Sequence, residues 1–340
     1  MLNIVKVSLG AALAAVVSVS AAKAETVLTY SSWVPWTHPI NVNLYIPWME
    51  AIEADSNGSI KFKRLPKAVA SPPAHLDAVR TGQADVAFSV HGYSPELFAP
   101  YLFAEHPLLG DTAVGTSIAL QRTHEKFMAD SNMYAGVHVI GMNTHGPGLI
   151  HHSKKNILSP ADIEGQKMRT GGPIPKAIVE AWGGVPIRQP ASKSYEILST
   201  GVADGITFPY ESLVSFNIMD IVTYSTYIPG GLYSSSHYLI INQGKYDALS
   251  AEDKAVVDKH SGEAFAKRAG EAWDKINNEG LAAATANGNS IMTAPPEMVA
   301  VVEDLLTGFE ATYVEKARGV DGAAILEYFK GQVTELAASN

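Results

Sequence analysis

Short β-rich runs alternate with helical patterns through the first third of the chain. Strands are predicted at 26–30, 59–64 and 86–90, and helices at 40–55 and 74–81, with Gly58 and Gly82 placed to stop the two helices. A second series begins near Val137 and runs through a strand at 166–170, helices at 175–182 and 194–200, and a strand at 205–208. Within it, Ser159-Pro160-Ala161-Asp162 has the look of a capped helix start, with Gly165 following its end. Such alternation predicts an α/β protein with largely parallel sheets, and its recurrence predicts two α/β units. Neither unit shows a fixed-period repeat, and no low-complexity linker separates them.

Residues 250–286 read as helical almost without interruption. Ser250-Ala251-Glu252-Asp253 opens the run, and Val256, Phe265, Trp273 and Ile276 are apolar along it. At about 1.5 Å per residue the run reaches roughly 50 Å, longer than one small unit, and is expected to bridge both. A break near Gly262 or Gly270, giving two helices, is the alternative.

The two ends of the chain differ in character. Lys6 precedes an apolar run at 7–22, and Ala22-Lys23-Ala24 supplies small residues before Glu25, so residues 1–24 are expected to be a cleaved signal peptide and the protein periplasmic. Cysteine is absent, which excludes disulfides, lipid attachment through a thiol and thiol catalysis. A formal net charge of −9 disfavours nucleic acid or an anionic membrane as partner. It does not disfavour an anionic small molecule, because solvent screens distant charges and one buried Arg sets the local potential.

Common enzyme signatures are missing: no Gly-x-Ser-x-Gly, P-loop, Gly-x-Gly-x-x-Gly or His-Glu-x-x-His stands in the chain. His138, His145, His151 and His152 cluster in sequence, but strand alternation separates neighbours and no carboxylate stands close by, so neither a metal nor a cofactor is expected. Arg169 is the sharper candidate. It ends a predicted strand and precedes Thr170-Gly171-Gly172-Pro173, where open α/β sheets bind ligands and a guanidinium grips a carboxylate with two parallel bonds. Trp33, Trp36, Tyr93, Phe208 and Tyr210 fall in comparable strand-to-loop positions, suited to walling a pocket or simply to packing.

At these residues a family resemblance becomes readable. Asp162-Ile163-Glu164-Gly165-Gln166-Lys167-Met168-Arg169 resembles the D-x-x-G-x-K-x-R segment of DctP-like substrate-binding proteins of tripartite ATP-independent periplasmic (TRAP) transporters. The Gly201-Val202-Ala203-Asp204-Gly205 segment, the strand-like 238–242 and the helix start at 249–253 are similar to the same family. The resemblance implies a two-lobed periplasmic binding fold with a long helix spanning both lobes. Lobe one would take residues 25–147 and 237–277, and lobe two 148–236 and 278–340. It also implies a ligand carboxylate held by Arg169, no enzymatic turnover, and delivery to TRAP integral membrane subunits by a monomer.

Departures from the family pattern bear on the ligand. Phe208 stands where many members carry Asn, Ile150 where sialic-acid-type members place a second Arg, and 67–73 replaces a Gly-x-Leu-Gly segment. These changes point to a monocarboxylate with a hydrophobic or aromatic body. Trp33, His38, His91 and Tyr93 are expected on lobe one and Arg169 and Phe208 on lobe two, with Tyr210, Glu211 and His145 as further ligand-binding candidates. Glu211, His91 and His38 keep a ligand hydroxyl or amine open. An enzyme using His91, His145 and Glu211, or a sensor docking on a membrane kinase, are the competing readings.

Overall fold

The computed structural model describes residues 25–317 and 319–338, so the expected signal peptide lies outside the described residues. From the start of these residues, β1 (Thr26–Ser31), α1 (Ile46–Asp55), β2 (Ile60–Arg64), α2 (His75–Arg80), β3 (Val86–Val90), α3 (Ala113–Phe127) and β4 (Val137–Thr144) follow in order. The chain then crosses into a second layer system through β5 (Leu149–His152), β6 (Lys167–Thr170), α4 (Pro173–Ala181) and β7 (Val185–Arg188). It continues with α5 (Ser194–Ser199), β8 (Gly205–Phe208), α6 (Glu211–Ser215) and β9 (Tyr224–Tyr227). It returns through β10 (Ser236–Asn242), α7 (Ala251–Lys259) and α8 (Gly262–Ala286), and ends with β11 (Ser290–Thr293), α9 (Pro296–Lys316) and α10 (Gly322–Ala338).

Two sheets result, in the orders β2-β1-β3-β10-β4 and β11-β9-β5-β8-β6-β7. The parallel expectation holds except for the crossing strands. β10 runs antiparallel to β3 and β4, and β5 antiparallel to β8 and β9. Each of these strands enters its sheet directly from the other lobe rather than through a covering helix, which removes the constraint that keeps βαβ units parallel.

Strand bounds at 86–90 and 205–208 match the sequence expectation. The helix at 250–286 does not. It breaks before Gly262, whose φ of +60° is unfavourable for residues with a Cβ, so α7 and α8 are separate and the alternative stands. At 25 residues α8 is still long enough to serve both lobes. Its Phe265, Trp273 and Ile276 pack into the lobe-one core with Trp48 and Phe88, and its Ala284 enters the lobe-two core with Ile206 and Leu213. Gly280 lets α8 lie against the backbone of α6, because a Cβ there would stand 2.6 Å from Tyr210 C and Glu211 N.

The C-terminal segment also departs from expectation. Residues 278–340 were expected with lobe two, but α10 packs Ile325, Leu326 and Phe329 into a lobe-one core with Phe103 and Leu120. α9 carries Met298 and Val302 in the lobe-two core and Tyr313 in that lobe-one core, so it is a second connection between the lobes. Its apolar residues, spread over 21 positions, serve a different lobe at each end. Among the described residues no helix is long and apolar enough to cross a membrane.

Candidate ligand-binding site

Arg169 is the penultimate residue of β6, near the carboxyl edge of the lobe-two sheet and next to β8 through the Arg169–Ile206 pairing. The turn that follows is glycine-rich, and a Cβ on Gly171 would meet the guanidinium at 3.3 Å, which is tight. The side chain is 1% exposed, and its Nε and Nη2 both donate to Gln189 O, at 3.0 and 2.7 Å. These bonds hold the plane of the fork. The guanidinium carbon lies 4.3 Å from the Phe208 ring centroid, and among the described residues Arg169 forms no salt bridge. Burial lowers its pKa from the ordinary arginine value, with Tyr93 and Tyr233 opposing the shift. The charge is retained all the same, because guanidinium starts so far above neutral pH.

Arg169 and Phe208 border an interlobe cavity with about 540 Å³ of atom-free space, its mouth included. Lobe one supplies Trp33, His38, Phe88 and Tyr93 to its lining, and lobe two supplies Phe208, Glu211, Ser212 and Phe216. Tyr233, His237 and Trp273 close the back with His145, which sits near Arg169. Phe208 and Phe216 stack at 5.3 Å and 12°, and the His38 ring meets Phe216 edge-on at 5.4 Å. Arg169, Phe208, Phe216 and His38 thus form one connected chain of contacts in the lining.

The lobes meet around this space. Tyr93 Oη accepts from Ala191 N at 3.0 Å, and Arg188 Nη2 donates to Gly92 O at 2.7 Å. Glu105 of lobe one is buried between two glycines, one on each lobe: Cβ atoms on Gly92 and Gly172 would fall 2.5 and 2.6 Å from its carboxyl oxygens. Burial pushes its pKa up to about 8 against the opposing charge of Arg188.

The predicted site residues divide. Arg169, Phe208, Trp33, Tyr93, His38, Glu211 and His145 line the one cavity. His91 does not. It is fully buried in the lobe-one core, stacked 4.2 Å from Tyr101 and bonded through its two ring nitrogens to Ser236 Oγ and Tyr134 Oη. Tyr210 is also outside the lining. Its ring packs toward His151, 5.8 Å away, while its backbone N–H is taken by Asn277 Oδ1. Ile150 sits mid-strand in the lobe-two core, so the loss of a second Arg at that point does not itself make the cavity apolar. Among the described residues no three metal-binding side chains converge; His151 bonds Ser225 Oγ and Phe208 O, and His152 bonds Gln166 Oε1.

Phe88, Phe216, Tyr233, His237 and Trp273 join the lining unpredicted. Trp273 reads as core on a helical stripe, and only the helix's position against the cleft turns it into a wall. Alternation along β10 offered a clue to His237, since its neighbour Tyr238 points into the lobe-one core.

Burial holds the cavity's histidines neutral: His38 and His145 are pushed down to about 4 and His237 to about 3. Glu211, bonded by Ser212 and Ser215, is raised by burial to about 7. Among the described residues Arg169 is thus the one fixed positive charge in the lining of a largely aromatic space.

Two α/β lobes joined by crossing strands and meeting around a cavity lined by aromatic rings and a buried guanidinium define a solute-binding receptor. The chain belongs to the DctP family, described as bacterial extracellular solute-binding protein, family 7, which it matches over residues 31–311. Members are TRAP substrate-binding proteins, periplasmic receptors that take small carboxylates and work with TRAP membrane components. A TRAP periplasmic solute-binding protein from Bordetella bronchiseptica with bound (R)- and (S)-mandelate is 38% identical. The alignment covers 92% of this chain and 99% of that one, with a TM-score of 0.88. A marine metagenome TRAP solute-binding protein specific for aromatic acids, in complex with metahydroxyphenylacetate, is 32% identical over the same shares, with a TM-score of 0.87. The Comamonas testosteroni protein named outer membrane transporter protein TsaT is 29% identical over 95% of this chain and 96% of its own length.

Proposed function

We propose that this receptor captures a hydrophobic or aromatic monocarboxylate in the periplasm and hands it unchanged to a TRAP membrane transporter. The observation that carries the reading is the pairing of one buried, anchored guanidinium with walls made of Trp33, Phe88, Phe208, Phe216 and Trp273. A second carboxylate would be buried without a cationic partner, which costs several kcal/mol. The mandelate and aromatic-acid complexes of the two relatives above agree with this chemistry. Ligand that touches both lobes favours the closed state by its differential affinity for it.

A thermal-shift screen tests the reading, because ligand at a hundredfold excess over its Kd adds about 2.7 kcal/mol to stability. Aromatic monocarboxylates should raise the melting temperature. A screen in which only dicarboxylates or sugar acids do so overturns the proposal. Chromatography of the ligand after long incubation should recover it intact, and product formation favours an enzyme. Export belongs to the same reading: N-terminal sequencing of the secreted protein should begin at Glu25, and gel filtration should show a monomer.

A further inference from the structure

His38, which meets Phe216 in the cavity lining, holds an unmet hydrogen bond. Its Nδ1 accepts from Ile40 N at 3.2 Å, which assigns the ring proton of the neutral imidazole to Nε2. That Nε2–H is buried and has no acceptor among the described residues, although the ring lines the cavity. Buried donors are nearly always paired, so an unpaired one on a side chain that lines a ligand cavity marks where a ligand acceptor belongs.

Position narrows what that acceptor is. Arg169 lies over Phe208 at 4.3 Å, Phe208 stacks on Phe216 at 5.3 Å, and His38 meets Phe216 at 5.4 Å. The guanidinium and the imidazole thus each stand beside a different ring of one stacked pair. Trp33 Nε1 also lacks an acceptor, but Trp33 packs against Tyr93, a neighbour of Arg169, where the ligand's own carboxylate supplies oxygen. On the Phe216 side, Ser212 and Glu211 line the cavity one helical turn before Phe216. Each Glu211 oxygen takes one serine O–H and keeps a lone pair for another donor. A hydroxyl, which both accepts and donates, matches this set of groups; a bare ring or an alkyl tail leaves His38 unpaired.

We infer that the ligand is a ring-hydroxylated aromatic monocarboxylate, its carboxylate on Arg169 and its hydroxyl, meta or para to the carboxylate, accepting from His38 Nε2. This rests on the monocarboxylate reading above and deepens it.

Calorimetry with benzoate, 3-hydroxybenzoate and 4-hydroxybenzoate, on the wild type and on His38→Phe and His38→Gln, tests it. The wild type should bind the better hydroxy isomer about ten-fold more tightly than benzoate, the scale of one hydrogen bond to a neutral group. His38→Phe should bring that ratio within about two-fold, and His38→Gln, which keeps an N–H, should restore part of it. A wild-type ratio near one, or a ratio that survives in His38→Phe, overturns the inference while leaving the monocarboxylate reading in place. Failure of all three acids to bind the wild type removes both. Circular dichroism checks each variant, and His38→Ala replaces His38→Phe if the larger ring prevents folding.

Discussion

The Arg169 guanidinium carbon stands 4.3 Å from the Phe208 ring centroid, while its Nε and Nη2 are tied to Gln189 O. These contacts leave the charge in place and fix where it sits. Where the family pattern leads one to expect a polar Asn, an aromatic face instead lies against the cation proposed to hold the carboxylate.

Arg169→Ala should therefore abolish carboxylate binding with the fold intact, at a cost of about 2–5 kcal/mol. Arg169→Lys should recover little, because an ammonium cannot keep the paired donation to Gln189 O and face a carboxylate bidentately. Calorimetry with a bound aromatic acid, alongside circular dichroism, checks both. Binding by Arg169→Ala within a few-fold of wild type would sink the anchor assignment.

Glu105 carries a pH prediction with a definite sign. Its carboxyl is raised by burial to about 8 from an ordinary 4.5, so the folded protein keeps a proton that the unfolded chain releases. The carboxyl's effect is neutral below about pH 4.5 and increasingly destabilising as pH rises toward 8. Glu105→Gln should thus gain stability relative to wild type over that window, reaching a few kcal/mol at its upper end. The buried histidines titrate in the opposite sense and Glu211 in the same sense, but both cancel in the difference between the two proteins. Urea denaturation of each at several pH values measures it, and a difference that stays flat refutes the assignment.

Gly280→Ala tests the close crossing of α8 and α6. The added Cβ would lie 2.6 Å from backbone atoms of Tyr210 and Glu211, which cannot rotate aside. Alanine's better helix propensity contributes about 1 kcal/mol, and the overpacking costs about 1–3 kcal/mol, so net destabilisation is expected. Because α6 also carries Glu211 and Ser212 into the cavity, ligand affinity should fall as well. Chemical denaturation and calorimetry on the same variant separate the two effects.

Ser250→Ala should cost about 1 kcal/mol, since the Ser250 hydroxyl accepts from Asp253 N at 3.1 Å and caps α7. An unchanged denaturation midpoint would show that the cap contributes nothing.

Local rules made much of this molecule legible from sequence. Alternation and glycine stops located β3 and β8, the serine cap located the start of α7, and strand-end logic brought Arg169 and Phe208 to a sheet edge. These features depend on a few neighbouring residues and on backbone sterics, which a single sequence displays directly. His91 reads the same way as Tyr93, two residues on, but the turn after β3 sends it into the core and Tyr93 to the cavity. No local pattern distinguishes them.

Only the tertiary structure decided what surrounds Arg169. Phe216, His237 and Trp273 come from separate elements, and α9 runs from the lobe-two core into the lobe-one core, where α10 buries its apolar face. Convergence of this kind depends on packing between segments far apart in the chain, and hydrophobicity, being non-directional, does not name its partner. The sequence by itself determined two lobes and a buried arginine late in a sheet strand. The cleft, with its aromatic lining and the unpaired His38 donor, exists only once those lobes are packed against each other.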